Sequence, residues 1–170
     1  ADVEADMSQG DGNELRSKFC AVHSSSALAV NCFGPFKRKE YQGAMRLLGK
    51  DGLKRLQFEK RLEIFTHGTP PNMDVWLEMD NEILATESKL LEYLTPKVGK
   101  FSKAYERLAP PVSEDCWWRA YEEAKKGDKQ HVDRAQLIKH YFGLSAYRAI
   151  TPNCPRLTLL YVFWEPINWQ

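Results

Sequence analysis

The sequence lacks the cysteine patterns that would place it in a disulfide-rich or zinc-binding class. It has no CxxC motif and no zinc-type pairing of cysteine with histidine, because its four cysteines are widely scattered: Cys20, Cys32, Cys116 and Cys154. Cysteines spaced in this way predict reduced thiols in a cytoplasmic protein. No apolar run approaches the roughly 18 residues of a membrane span, and the acidic N-terminus is unlike a signal peptide. We therefore expect a cytoplasmic chain with no membrane contact.

An excess of one charge is missing as well. Lysine and arginine number 24 and aspartate and glutamate 23, for a formal net charge of +1. No global basic field then draws the protein onto nucleic acid, so contact with DNA would have to come from local patches.

The chain also lacks the signature of a serine hydrolase. No GxSxG-like elbow is present, and no acid lies near His23 to orient it toward the serines that follow, Ser24–Ser26. The serine run is therefore interpreted as a helix start or as tight packing between elements.

What is present is typical of a soluble globular protein. The chain has 170 residues, of which 43% are hydrophobic and 28% charged, enough for one domain with one core. Residues 1–13 are acidic and show no periodicity, which predicts a flexible tail. Residues 14–170 are predicted to form a single domain.

Hydrophobic periodicity predicts a mixed α/β fold. Strands are expected at residues 56–65, 73–79 and 83–90, and their short links predict an antiparallel three-strand meander. Residues 14–33 are expected to form a helix or a broken helix pair. Further helices are expected at residues 37–50, 96–108 and 113–127, and from about residue 128 or 133 to 142. The almost wholly apolar residues 157–164 predict a central strand that is buried on both faces and parallel to a neighbour. The predicted architecture is a mixed central sheet flanked by helices.

Three charged residues of the meander are expected to meet. Glu87 and Lys89 are two positions apart on one strand, so they share a face and lie about 6.6 Å apart along it. Counting outward from the turn at residues 80–81 places Asp74 opposite the Glu87 region of the adjacent antiparallel strand. The spacing therefore predicts an acid pair with a lysine beside it.

Two carboxylates this close repel each other unless a divalent cation lies between them. Mg²⁺ suits such a pair, because it prefers oxygen ligands and keeps several of its waters. The metal would polarise a phosphate and activate a bound water, and Lys89 would orient that water or stabilise the developing charge. The alternative is a solvent-facing hairpin whose charges serve solubility.

The order of these elements resembles the PD-(D/E)xK nuclease superfamily. Glu87-Ser88-Lys89 matches the (D/E)xK triplet, and Asp74 stands at the aspartate position, although Met73 replaces the proline before it. HSSSALAVNCFGPF, Phe58-Glu59, AQLIKH at 135–140 and LLYVFWEP near the end are similar to bacterial restriction-endonuclease-like proteins of that superfamily. The resemblance extends from about residue 14 to 166 and implies a restriction-endonuclease-like core.

The resemblance also implies further site residues. Gln136 stands where some members carry a glutamine that helps to position the lysine or the substrate, and His140 is a weaker candidate one turn later. Members usually have an upstream acid, for which Glu59 is the first choice; the alternatives are Glu14, Glu40 and Glu63.

The resemblance implies a nuclease that uses Mg²⁺ (or Mn²⁺) to hydrolyse phosphodiester bonds in DNA, of restriction or repair type. Asp74 and Glu87 would bind the metal. A homodimer would supply the two active sites that double-strand cutting favours. The alternative is a non-catalytic module of the same fold that binds nucleic acid or a partner protein.

Overall fold

A computed structural model describes residues 3–8, 19–21, 23–63, 70–108 and 116–165 of the chain. The helices are α1 (Val3–Met7), α2 (Ser25–Phe33), α3 (Lys39–Gln42), α4 (Cys116–Ala124) and α5 (Arg134–Ile150). The strands are β1 (Arg55–Arg61), β2 (Asn72–Glu78), β3 (Glu82–Lys89), β4 (Lys97–Val98), β5 (Lys129–Gln130) and β6 (Arg156–Phe163). Short 3-10 turns occupy Gly34–Lys37, Glu92–Leu94 and Lys103–Arg107.

The chain divides into two compact units. The first comprises Ala1–Arg61, Asn72–Leu91 and Asn153–Gln170, and the second comprises Leu62–Pro71 and Glu92–Pro152. The first contains a four-stranded sheet of order β1-β2-β3-β6. Its first three strands pair antiparallel, and β6 pairs parallel with β3. The predicted meander, the parallel last strand and the mixed α/β class are confirmed.

One face of this sheet is covered by an apolar core. Because strand side chains alternate, Leu56 and Phe58 of β1 share a face with Val75 and Leu77 of β2 and with Leu84 of β3. Residues from α1 and α2 complete the cluster: Met7, Ala29 and Phe33. The alternate residues, among them Asp74 and Glu87, lie on the other face.

The structure differs from the prediction of a flexible tail at residues 3–8. These residues form α1, whose Met7 is buried in the core. The carboxylate of Asp6 accepts a 2.9 Å hydrogen bond from the backbone N–H of Phe58 and forms an ion pair with Lys37. The remaining residues of the predicted tail lie outside the described ranges.

The serine run begins a helix, as predicted. Ser24 is the N-cap of α2, and its hydroxyl accepts a 3.0 Å hydrogen bond from the N–H of Ala27. His23 is exposed.

The helix predicted at residues 37–50 is wrong. A single turn, α3, is followed by a tight reversal in which the N–H of Lys50 donates to the carbonyl of Leu47 at 2.8 Å. Both central residues have positive φ, 53° at Leu48 and 71° at Gly49. Two successive residues of this kind form a hairpin-type turn that cannot continue a helix.

The last strand is parallel to β3, as predicted, but it lies at the edge of the sheet, and the prediction that it is central is wrong. Residues 157–162 are only half-buried, and Phe163 is 49% exposed. Among the described residues, β6 pairs on one side only, with β3.

The second unit has an aromatic core between α4 and α5. Tyr121 contacts Phe101 edge to face at 4.8 Å between ring centroids, and Trp117 stacks on Tyr141 at 4.6 Å. Trp117 and Trp118 are partly buried and pack against this cluster. The helix predicted at residues 96–108 is wrong, because this segment contains β4 and a 3-10 turn.

Helix α5 continues past Gly143, where an end was predicted. A Cβ at Gly143 would lie 2.9 Å from the Cβ of Leu62. The glycine therefore permits close packing inside the helix and does not end it.

Candidate active site

The β2–β3 register brings the two predicted acids together. The register pairs Val75 with Thr86 and Glu78 with Ile83, so one step outward places Asp74 opposite Glu87 on the same face of the sheet. The expected proximity of the two carboxylates is therefore observed. It arises from a short turn at residues 80–81, which sets the register of the hairpin.

The backbone of β3 holds the Asp74 carboxylate. Its Oδ2 accepts a 2.7 Å hydrogen bond from the N–H of Ser88. Ser88 is the middle residue of the Glu87-Ser88-Lys89 triplet, so this contact joins the aspartate to the strand that carries the other two charged groups.

Glu87 and Lys89 form a buried ion pair. Glu87 is fully buried and Lys89 is 9% exposed, and the Lys89 ammonium donates to Oε1 of Glu87. Burying either charge alone would be costly. Each of these two buried groups therefore has the other as its charge partner.

The pKa of Asp74 is raised well above its ordinary value. Burial of the carboxyl group is the largest cause, followed by the negative charge of Glu87. Lys89 and the hydrogen bond from Ser88 act in the opposite direction, and Glu59 adds a smaller upward effect. Asp74, Glu87 and Lys89 therefore interact electrostatically, as the sequence predicted for this trio.

Glu59, the first choice for the upstream acid, lies near the pair. The β1–β2 register is the same on both sides of Glu59, with Phe58 paired to Val75 and Lys60 paired to Met73, which places Glu59 opposite Asp74. Glu59 is 8% exposed and has a φ of 50°, a left-handed conformation that is uncommon for glutamate and is often retained at functional sites.

The other candidates for the upstream acid are less well placed. Glu40 and Glu63 are exposed, and Glu14 lies outside the described residues.

Gln136 and His140 lie on α5, in the second unit. Gln136 is half-buried in the first turn of α5, and its N–H donates to Oδ1 of the N-cap Asp133 at 3.0 Å. His140 is 1% exposed. The functional roles of both residues remain predictions.

The residues present suit a magnesium or manganese ion only in part. Asp74 and Glu87 supply oxygen donors. Burial is the main cause of the raised pKa of Asp74, and the negative charge of Glu87 adds to it, a repulsion that a bound cation would relieve. Within the described residues, however, no group of three or more His, Cys, Asp and Glu side chains is arranged to hold a metal. Two carboxylates with water and phosphate oxygens remain sufficient for Mg²⁺.

Aromatic residues of β6 adjoin the site, and sequence reasoning missed them. The parallel register pairs Glu87 with Tyr161 and Lys89 with Phe163. The apolar run 157–164 was interpreted wholly as buried core. The run ends in two aromatic residues, Phe163 and Trp164, just before Glu165. This pattern could have predicted that the end of the strand is exposed.

Comparison with known protein families matches residues 1–170 to one family, "Restriction Endonuclease associating with ARP". The match covers the whole chain, so the chain belongs to this family. No curated protein and no solved structure shows a significant match. The helices within the described ranges are all too short or too polar to cross a membrane.

Proposed function

From membership of this restriction-endonuclease family, we propose that the chain is a metal-dependent nuclease of the PD-(D/E)xK type that hydrolyses phosphodiester bonds in DNA. One observation carries the proposal: the hairpin register pairs Asp74 with Glu87 and places Lys89 beside them on one face. An acid pair with an adjacent ammonium has the charges that phosphodiester hydrolysis requires.

Asp74 and Glu87 would hold Mg²⁺ or Mn²⁺. When bound, the metal would polarise the phosphate and lower the pKa of a coordinated water. The Ser88 N–H fixes Oδ2 of Asp74 at 2.7 Å and so orients the carboxylate. Because protonation of Asp74 would compete with binding, its raised pKa makes metal affinity depend on pH.

Lys89 would act on the reacting groups. Its ammonium lies on the face of the two acids and is held there by Glu87. A positive charge at this position can orient the attacking water and stabilise negative charge developing on the phosphate. Glu59 would complete the acid set as the upstream carboxylate. For Gln136, the positioning role rests on the resemblance alone.

A second function is a module of the same fold that binds nucleic acid or a protein without cutting. The ion pair between Lys89 and Glu87 favours it, because the ammonium already neutralises one of the two carboxylates. In such a module the trio would have a structural role, and added metal would leave its stability unchanged.

The cleavage of labelled DNA in Mg²⁺ or Mn²⁺ tests the first function. Lys89→Ala is expected to lower the cleavage rate by at least about 100-fold while DNA binding is retained, since Lys89 would stabilise charge that develops in the transition state. Because the variant leaves buried Glu87 without its partner, a thermal melt of Lys89→Ala is needed to show that the lost cleavage is not lost folding. Lys54→Ala is the matched control, because Lys54 is also ion-paired but its side chain is 61% exposed. Failure of the wild-type protein to cut DNA in either metal would favour the non-catalytic module.

The family description also names association with ARP. As part of the proposal we extend this association to the present chain. Co-elution of the chain with its ARP protein in size-exclusion chromatography tests it, and the same measurement on the chain alone reports whether it forms a homodimer. Separate elution of chain and ARP would contradict the proposed association.

A further inference from the structure

One segment of the second unit is far more basic than the chain as a whole. Residues 97–107, here called the basic segment, contain four basic side chains and one acidic one, whereas the full sequence has a net charge of +1. The four cations recur every three or four residues and are all exposed: Lys97, Lys100, Lys103 and Arg107. The basic segment is therefore a local concentration of positive charge in a chain that has no overall excess.

The four cations of the basic segment have no partners in the protein. In the described part of the chain, none of them forms an ion pair or a side-chain hydrogen bond. By contrast, Lys54 is paired with Asp80 at 3.2 Å and Lys125 with Glu122 at 3.1 Å. A paired lysine already has its charge partly neutralised, whereas the charge of the basic segment acts on whatever approaches from solvent.

The one acid of the basic segment does not neutralise it. Glu106 is exposed and forms no ion pair with any cation that the structure describes. Its negative charge acts toward Tyr121 of α4: burial is the main cause of the raised pKa of Tyr121, and Glu122 and Glu106 add to the rise. The positive charge of the basic segment therefore remains uncompensated by its own acid.

A fifth cation lies against the same segment. The Nζ atom of Lys139, on α5, is 5.5 Å from the centre of the Phe101 ring and 5.9 Å from that of Tyr105, distances at which a ring face attracts a cation. Burial lowers the pKa of this half-buried ammonium, and the charge of Asp133 acts in the opposite direction. Among the described residues, no group accepts a hydrogen bond from it. An approaching anion would relieve the cost of burying this charge.

We propose that the basic segment and Lys139 bind the sugar–phosphate backbone of DNA without reading its bases. This inference rests on the proposed nuclease function, which needs a DNA-binding surface in a chain that lacks a basic field. Duplex DNA carries one negative charge per about 1.7 Å of its axis, so regularly recurring cations find regularly recurring partners.

The residue types favour DNA backbone over a protein partner. Four of the five cations are lysines, and lysine is a flexible point charge that contacts phosphate without the fixed fork geometry of arginine. Contacts to phosphate fix position and carry no sequence information directly. Interfaces between proteins, in contrast, are depleted in lysine.

The salt dependence of DNA binding tests the inference. Fluorescence anisotropy is measured on labelled duplexes of unrelated sequence, without divalent metal so that nothing is cut, between about 50 and 200 mM salt. Each phosphate contact contributes about 0.9 to the slope of log affinity against log salt. Combining Lys100→Gln with Lys103→Gln is therefore expected to reduce the slope by about 2 and to weaken binding at least about tenfold, equally on every sequence.

Two further variants sharpen the test. Combining Lys54→Gln with Lys125→Gln is the matched control, because it removes the same net charge from two ion-paired lysines and is expected to leave the slope nearly unchanged. Lys139→Met keeps an apolar chain against the two rings and is expected to reduce the slope by about 1, whereas Lys139→Arg is expected to retain it. Thermal melts check that each variant is folded.

Several results would overturn the inference. They are a wild-type protein that binds no DNA, an unchanged slope in the variant of Lys100 and Lys103, and an equal decrease in the control variant. A loss that differs between DNA sequences would show that the segment reads bases. A loss of co-elution with ARP while DNA affinity is retained would assign the surface to a protein partner.

The two proposals fail separately. If the wild-type protein cuts DNA and the variants keep its slope and its KM, the backbone-binding surface is wrong and the nuclease function stands. If the wild-type protein cuts nothing but the variants lose affinity and slope as expected, the nuclease function is wrong and the surface stands on a binding module. If both hold, the variants are expected to raise KM and leave kcat unchanged, because backbone contacts are made equally before and in the transition state.

Discussion

Asp74 on β2 accepts a 2.7 Å hydrogen bond from the backbone N–H of Ser88 on β3. Ser88 lies between Glu87 and Lys89, so one contact ties the aspartate to both other members of the proposed trio. Because the donor is a backbone group of a buried strand, the carboxylate is held without a side-chain partner that could rotate away. Because these three residues are linked, changing the charge of one of them is expected to have effects that can be measured.

Replacing Asp74 with asparagine is expected to stabilise the protein at neutral pH by about 1 kcal/mol, the size of common stabilising changes. The pKa of Asp74 is raised in the folded state, so the native protein binds the extra proton between the ordinary pKa and the raised one. The free energy of unfolding therefore falls as pH rises through that window. Urea unfolding from pH 4 to 8 measures it, and Asp74→Asn should flatten the profile.

Asp80→Asn is the control for this experiment. Asp80 is ion-paired with Lys54 at 3.2 Å, but its side chain is 62% exposed, so a change of less than about 0.5 kcal/mol is expected. A lower stability of Asp74→Asn at pH 7 would show that the aspartate is a net stabilising group and would contradict the electrostatic picture of the site.

Magnesium or manganese is expected to raise the melting temperature of the wild-type protein. A metal that binds only the folded state at 100 times its dissociation constant stabilises by about 2.7 kcal/mol. Differential scanning fluorimetry at neutral pH measures the shift, which should disappear in Asp74→Asn and in Glu87→Gln and persist in Asp80→Asn.

The same shift should weaken as the pH is lowered. Protons compete for Asp74, and its raised pKa makes this competition begin at a higher pH than for an ordinary aspartate. A metal-induced shift that persists in Asp74→Asn would place the binding site elsewhere.

Replacing Glu59 with glutamine is expected to reduce cleavage roughly tenfold or more, as losing a group that supports a metal ligand commonly does. It should also lower the pKa of Asp74, because the Glu59 charge raises it. Cleavage rates measured against pH report both effects. Glu63→Gln is the matched control, since Glu63 is exposed, and a larger loss with Glu63→Gln would identify Glu63 as the upstream acid.

Replacing Ser24 with alanine is expected to cost about 1 kcal/mol and to leave cleavage unchanged. Its hydroxyl caps α2 through the N–H of Ala27 at 3.0 Å, and this is the usual cost of losing an N-cap. Thermal melts alongside Ser25→Ala, one position into the helix, measure the difference. A loss of activity in Ser24→Ala or His23→Ala without a loss of stability would instead support hydrolysis by the serine and histidine.

Much of the first unit could be predicted from local patterns. The antiparallel meander follows from alternating residues joined by short links, and the parallel pairing of β6 follows from its apolar run. The helix predicted at residues 37–50 failed because Leu48 and Gly49 adopt left-handed backbone conformations. Glycine suggests such a turn, but leucine carries no local preference that would reveal it.

The sequence by itself determined that Asp74 meets Glu87 and Lys89. Side chains alternate with a period of two along a strand, and the two-residue turn sets the register, so counting residues was sufficient. Only the tertiary structure showed that Glu59 lies opposite Asp74, because this position depends on the pairing of β1 with β2. Only the tertiary structure showed that β6 lies at the edge of the sheet, with the exposed Phe163 beside Lys89. An apolar run does not reveal this, because its sequence is the same whether other elements cover one side of the strand or both.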